Sequence, residues 1–180
     1  SSYADTLTGD ANANIIIGAD GGDTLSGGDG NDAIYGDKHT GSSNLLYGVN
    51  SAHGNPTGDD KLFGNAGDDI LAGNSGNDTL DGGAGADTLT TGSGSDTVVL
   101  RAGDGGRTLA EADTVTDFTD GTDILGLDNG LLYSQLTIAQ GTGSNSSDTI
   151  ISKGSEYLAI LTGISVSALS EADFTPVDIT

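Results

Sequence analysis

Aspartates recurring at nine-residue intervals, 23 and 32 and then 60 through 96, are the part of this chain best suited to chemistry. Asp23, Asp32, Asp60, Asp69, Asp78, Asp87 and Asp96 each follow a glycine two residues upstream. No cysteine occurs anywhere, and the two histidines, His39 and His53, lie away from these carboxylates. Such a donor set is all oxygen, which suits a hard cation and excludes thiolate or imidazole metal sites. Nucleophile, zinc-protease and nucleotide signatures (GxSxG, HExxH, the P-loop) are absent. A general acid needs a desolvated carboxyl, whereas aspartates repeated in register look committed to a cation.

The elements that position these carboxylates follow from the period. Gly64 to Val99 divides into four blocks of nine: GNAGDDILA, GNSGNDTLD, GGAGADTLT and TGSGSDTVV. Upstream, Gly18–Ser26 and Gly27–Tyr35 share the frame, and Gly9–Ile17 is a degenerate copy. Two expanded copies, 36–47 and 48–63, are read as re-entering it at Asn44-Leu45-Leu46 and Asp60-Lys61-Leu62. The eighth position is then Ile16, Leu25, Ile34, Leu46, Leu62, Leu71, Leu80, Leu89 and Val98, apolar throughout. One obligatory apolar residue per nine fits a short strand with a single inward side chain. The glycine-rich half is a tight turn, because glycine accepts positive φ and close backbone approach.

Two blocks make one coil, so alternate sixth-position residues form two ladders. Counting both expanded copies gives Asp5, Asp23, Asn44, Asp69, Asp87 and Asn14, Asp32, Asp60, Asp78, Asp96. Neighbouring carboxylates at the inter-strand spacing of about 4.8 Å repel by about 3–4 kcal/mol at an effective dielectric of about 20. Calcium, which takes six to eight oxygens, resolves that conflict, whereas magnesium keeps its waters and demands an octahedron. On this count the pairs Asp32/Asp60, Asp60/Asp78, Asp78/Asp96 and Asp69/Asp87 are complete. Asn14 and Asn44 bring no charge. Tyr35 and Phe63 would occupy ninth positions on one side, as an aromatic pair beside the expanded loops.

These blocks closely resemble the RTX family, whose repeat is GGxGxDxUx with U a large apolar residue, a pattern already recognised as a calcium-binding parallel β-helix. The resemblance covers residues 5–99. It implies an all-β, right-handed parallel β-roll, a solenoid holding several Ca2+ ions between adjacent turns. Its implied ligands are the seven aspartates and turn backbone at Gly28, Gly30, Gly58, Asn65, Gly67, Asn74, Gly76, Gly83, Gly85, Gly92 and Gly94.

Residues 113–127, DTVTDFTDGTDILGL, resemble the segment that closes such rolls in secreted proteases, which implies a β-rich cap and secretion region over 100–180. Short strands are expected at 136–138, 148–152 and 157–161, and a short helix at 167–174. Asp113, Asp117, Asp120 and Asp123 either bind one further calcium or stand in surface turns.

Composition bounds the partners. Twenty-seven acidic against five basic residues give a net charge of −22, which repels nucleic acid and anionic membrane surfaces and attracts cations. No apolar run is long enough to insert in a membrane, and SSYADTLTGD carries no classical signal peptide. The expectation is a secreted, monomeric, non-catalytic calcium module that folds outside the cell and supports its parent protein. The alternative is a polysaccharide or surface-recognition module acting through loops 36–47 and 48–63.

Overall fold

A computed structural model describes residues 3–18, 21–36 and 58–179. Strands alternate between two sheets as the chain advances. The odd strands are β1 (Thr6–Thr8), β3 (Thr24–Asp29), β5 (Lys61–Ala66), β7 (Thr79–Ala84) and β9 (Thr97–Leu100). The even ones are β2 (Ile15–Ile17), β4 (Ala33–Tyr35), β6 (Ile70–Ser75) and β8 (Thr88–Ser93). Each strand pairs in parallel with the next strand of its own sheet, so Leu25 faces Leu62 and Leu62 faces Leu80. The protein is an all-β parallel roll.

The eighth position is the core. Ile16, Leu25, Ile34, Leu62, Leu71, Leu80, Leu89 and Val98 are all buried between the sheets. Each contributes about 1.5–3 kcal/mol by leaving water. One apolar side chain per strand is a thin core, so the backbone ladders and the turns must carry much of the fold.

The count of repeats needs one correction. β5 pairs directly with β3, and β6 directly with β4. Neither sheet has a rung for Asn44-Leu45-Leu46, residues that lie outside those described. One block spans 36–63, not two, and every assignment that depended on the extra copy shifts by one side. The ladders are therefore Asp5, Asp23, Asp60, Asp78, Asp96 in the odd sheet and Asn14, Asp32, Asp69, Asp87 in the even one. Asp32 neighbours Asp69, not Asp60. Tyr35, on β4, and Phe63, on β5, belong to different sheets and do not form an aromatic pair.

Parallel stacking crosses residue 99, where the nine-residue frame ends. β10 (Asp113–Val115) adds to β8 and β11 (Ile124–Leu127) adds to β9. Val115 thereby covers Leu89, and Leu125 covers Val98. The even sheet continues through β14 (Glu156–Leu161), then turns antiparallel through β13 (Thr149–Lys153) and β12 (Thr137–Gln140). β15 (Phe174–Pro176) completes the odd sheet. The expected helix at 167–174 is instead a single 3-10 turn, Glu171–Asp173, running into β15. Asp173 ties that turn back to Ser170, leaving Phe174 free to pack at 5.0 Å from the Tyr133 ring.

Arg101 pins this region to the roll. Its guanidinium bridges Asp81 of β7 at 2.9 Å, Asp104 at 2.8 Å and Asp128 at 2.8 Å. Burial opposes its charge, yet these carboxylates hold its pKa above the ordinary value. The Asn129 amide and Arg101 keep Asp128 ionised despite burial, below the usual carboxylate range.

Candidate metal centres

Each ladder carboxylate is split between two environments. Its Oδ1 accepts the backbone N–H of the aspartate one coil upstream: Asp60 Oδ1 from Asp23 at 2.6 Å, Asp78 from Asp60 at 2.8 Å, Asp96 from Asp78 at 2.8 Å. Asp69 and Asp87 do the same for Asp32 and Asp69. The second oxygen has nothing. Oδ2 of Asp23, Asp32, Asp60, Asp69, Asp78, Asp87 and Asp96 is buried with no hydrogen-bond partner. Burying one polar atom unpaired costs about 1–3 kcal/mol, and more when it carries charge. Seven in register within so thin a core call for a positive partner.

The first glycine of each turn shows which oxygens stand together there. A Cβ placed on Gly18, Gly27, Gly64, Gly73 or Gly82 would collide with Oδ2 of the aspartate five residues on, and one on Gly36 with Oδ2 of Asp60. Only glycine fits there, because the carboxylate oxygen lies far inside the van der Waals distance of any Cβ. The same point lies 2.7–2.9 Å from a first-position carbonyl one coil downstream: Gly36 for Gly18, Gly64 for Gly27, Gly73 for Gly36 and Thr91 for Gly73. At Gly18, Gly27, Gly36, Gly64 and Gly73 an aspartate Oδ2 and a first-position carbonyl of the next coil thus crowd the same glycine, which brings two oxygen donors together. These donors fit calcium.

The remaining turn residues satisfy backbone geometry. Gly28, Gly83 and Gly92 at the second position have φ of 103°, 91° and 100°, and Asn65 and Asn74 take their place at 76°. Asparagine tolerates this left-handed region, and both amides donate to the ninth-position carbonyl two residues before, at 3.1 Å. At the fourth position Gly30 is less crowded but has φ of 105°, while a side chain on Gly67, Gly76, Gly85 or Gly94 would strike the carbonyl of the coil above. The hollow above Gly58 is closed by Gly21 in the same way.

The fifth position carries a contribution that the period did not reveal. Asp59 Oδ1 accepts from Asn77 N–H at 2.7 Å, Asn77 Oδ1 from Ser95 at 2.9 Å and Asp68 Oδ1 from Ala86 at 3.0 Å. These bonds run downstream while the sixth-position bonds run upstream, so adjacent coils are stitched in both directions. Polar Asp or Asn at 31, 59, 68 and 77 was the available signal.

The ladder ends differ from its middle. Asn14 Oδ1 is taken by Asp10 N–H at 2.7 Å, within its own turn. Asp113 and Asp123 extend the two ladders by accepting from Asp87 and Asp96, each at 3.1 Å. They lie in different sheets, so Asp113, Asp117, Asp120 and Asp123 do not converge on one cation. Asp117 instead accepts from Thr91 N–H at 2.8 Å and Gly92 N–H at 2.9 Å, and Asp120 is exposed.

Burial, against the backbone hydrogen bond each accepts, pushes Asp60, Asp87 and Asp96 up to about 6, with like charges such as Asp23 beside Asp60 adding to it. Asp69 is raised for the same reasons. Asp113, most deeply desolvated and next to Asp87, rises to about 8. Without a cation, the fold pushes these groups toward the neutral acid.

Comparison with known proteins agrees with this chemistry. The family model for the RTX calcium-binding nonapeptide repeat matches four times, over residues 8–38, 57–80, 63–98 and 72–105. No curated protein sequence matches the chain. Among solved structures, the chain is similar to the extracellular lipase LipA from Serratia marcescens, at 18% identity and a TM-score of 0.48, covering 97% of this chain and 38% of the lipase. It is also similar to the AlgE6R2 subunit of the Azotobacter vinelandii mannuronan C5-epimerase, at 22% identity and a TM-score of 0.45, covering 97% of this chain and 94% of the subunit.

Proposed function

We propose, from the premise that residues 8–38 and 57–105 are RTX calcium-binding nonapeptide repeats, that this calcium-binding module folds on taking up calcium outside the cell and so supports secretion and stability of its parent protein. The observation that carries this reading is the row of seven buried, unpartnered Oδ2 atoms. Held by Asp23, Asp32, Asp60, Asp69, Asp78, Asp87 and Asp96 with first-position carbonyls, calcium would supply the positive charge that lets the carboxylates stack. Where calcium is scarce the ladders repel and the thin core cannot compensate, so the chain stays extended for export. Where calcium is plentiful, binding free energy becomes folding free energy.

The module is read as the non-catalytic part of its parent. A recognition role has no observation in its favour, because the expanded segment 37–57, with His39 and His53, lies outside the described residues and Tyr35 and Phe63 share no sheet. Among the described residues no helix is long and apolar enough to cross a membrane.

Circular dichroism in chelator and in millimolar calcium tests the proposal. The expected result is a disordered spectrum that becomes β-rich, with several ions bound per chain. A cooperative β-structure indifferent to chelator would overturn it.

A further inference from the structure

Asn129–Gly130 is the only asparagine–glycine pair in the sequence. It forms the tip of a two-residue turn after β11, closed by Leu131 N–H donating to the Asp128 carbonyl at 3.0 Å. Both tip residues have positive φ, 53° and 73°, and asparagine–glycine is the pair that meets this requirement most readily. Asp128 and Leu131 on either side are buried, whereas Asn129 and Gly130 are exposed, and a side chain on Gly130 would meet nothing within 4 Å. Asn129 also differs from its kind. Every other described asparagine is held through its side chain, as Asn65 and Asn74 are by ninth-position carbonyls, Asn77 by the Ser95 amide and Asn145 by Asp148. The Asn129 side-chain amide makes no hydrogen bond among the described residues.

We infer that Asn129 is a site of spontaneous deamidation, through which the Arg101 joint ages. The backbone nitrogen of Gly130 attacks Cγ of Asn129. That bond forms as Cγ–Nδ2 breaks, and ammonia leaves carrying the backbone amide proton. Glycine puts no side chain in the way of the attack. Water then opens the cyclic imide at either carbonyl, giving aspartate or, with the main chain rerouted through Cγ, isoaspartate. Elsewhere the asparagine must first release its side-chain hydrogen bond, which makes the reaction about tenfold slower. Isoaspartate adds a carbon to the main chain inside a two-residue turn, so the closure from Asp128 to Leu131 is lost. Both ends of that turn are anchored. The Asp128 carboxylate accepts Arg101 Nε at 3.0 Å and the Asn129 backbone N–H, and Leu131 belongs to the core.

Peptide mapping by mass spectrometry tests this on the full chain, held in millimolar calcium at mildly alkaline pH, with Gly130→Ala and Asn129→Gly alongside. Amide loss at Asn129 is expected to run about tenfold faster than at Asn65, Asn74, Asn77 or Asn145, with isoaspartate among the products. It is expected to slow in Gly130→Ala. Comparable rates across these asparagines, or an equal rate in Gly130→Ala, would overturn the site. So would an Asn129 that stays intact in calcium while losing its amide in chelator, since the folded turn would then block the attack. Asn129→Gly suits positive φ and has no amide to lose. The aged unaltered chain is expected to unfold at a lower temperature than the fresh one, and aged Asn129→Gly at the same temperature as fresh. Equal shifts in the two would overturn the link to the joint.

Discussion

At the scale of single residues, one carboxylate does two jobs, and only one of them is met by a hydrogen bond within the protein. Oδ1 closes a hydrogen bond to the coil upstream, while Oδ2 waits on an ion. Asp78 sits between Asp60 and Asp96 in complete turns, whereas Asp5 stands at the first rung. Asp78→Ala is therefore expected to raise the calcium midpoint by about tenfold, equivalent to about 1.4 kcal/mol, with Asp5→Ala shifting it much less. Comparable midpoints in a dichroism titration would contradict the ladder. Protons should compete with the ion and partly replace it. Asp60, Asp87 and Asp96 have folded values near 6 against an ordinary 3.8. The folded, cation-free roll thus binds more protons than the unfolded chain between these values. Its stability is favoured at low pH and lost as pH rises through about 6. In chelator, lowering pH from 7.5 to 5 is expected to increase β-content, while the calcium midpoint rises because ligands must be deprotonated. Less structure at pH 5 in chelator would refute this.

At the scale of elements, the strand and its core residue were legible because a single apolar residue recurred every nine. Register across the expanded segment was not. Asn44-Leu45-Leu46 keeps the polar-then-apolar order of a true copy but lacks the glycine two residues upstream, and the direct pairing of Leu25 with Leu62 shows that it adds no rung. A local pattern cannot report which strands are neighbours, and in a two-sided roll one miscounted block exchanges the sides. The same limit hid the fifth-position bonds, since they are defined by contact between coils. The closing strands were legible as strands, though the turn before β15 was too short for a helix. Arg101 is the element-scale joint least visible in sequence: Asp81, Asp104 and Asp128 are brought to it only by stacking. Arg101→Ala leaves Asp81 and Asp128 buried without their cation, and is expected to destabilise the calcium-bound protein by about 3 kcal/mol. Thermal unfolding in saturating calcium reads this directly, and a change below about 0.5 kcal/mol would mean that the cluster is an inert surface network.

At the scale of the whole molecule, stability depends on every coil having a neighbour. Each unit of a solenoid buries its apolar face against the next, and its last unit needs a covering element. Leu89 and Val98 are the last core residues of the nine-residue run, and both are covered by residues beyond it, Val115 and Leu125. The backbone edges of β8 and β9 are paired by β10 and β11, and those in turn by β14 and β15. Cutting after residue 99 would open two parallel edges at once and expose the end of the core, an arrangement prone to edge-to-edge association. It would also remove Asp113 and Asp123, which accept the amides of Asp87 and Asp96, along with Arg101, Asp104 and Asp128, leaving Asp81 without its cation. Calcium cannot replace these interactions, because it acts between coils and not at the end of the stack. Residues 1–99 alone are therefore expected to remain unfolded or to aggregate in abundant calcium, while the 180-residue chain folds reversibly to a monomer. Light scattering and circular dichroism on both across one calcium titration decide the matter. A truncated chain that folds to a soluble monomer at the same calcium concentration would show that the stack tolerates an open end, and that the C-terminal region serves something other than closure.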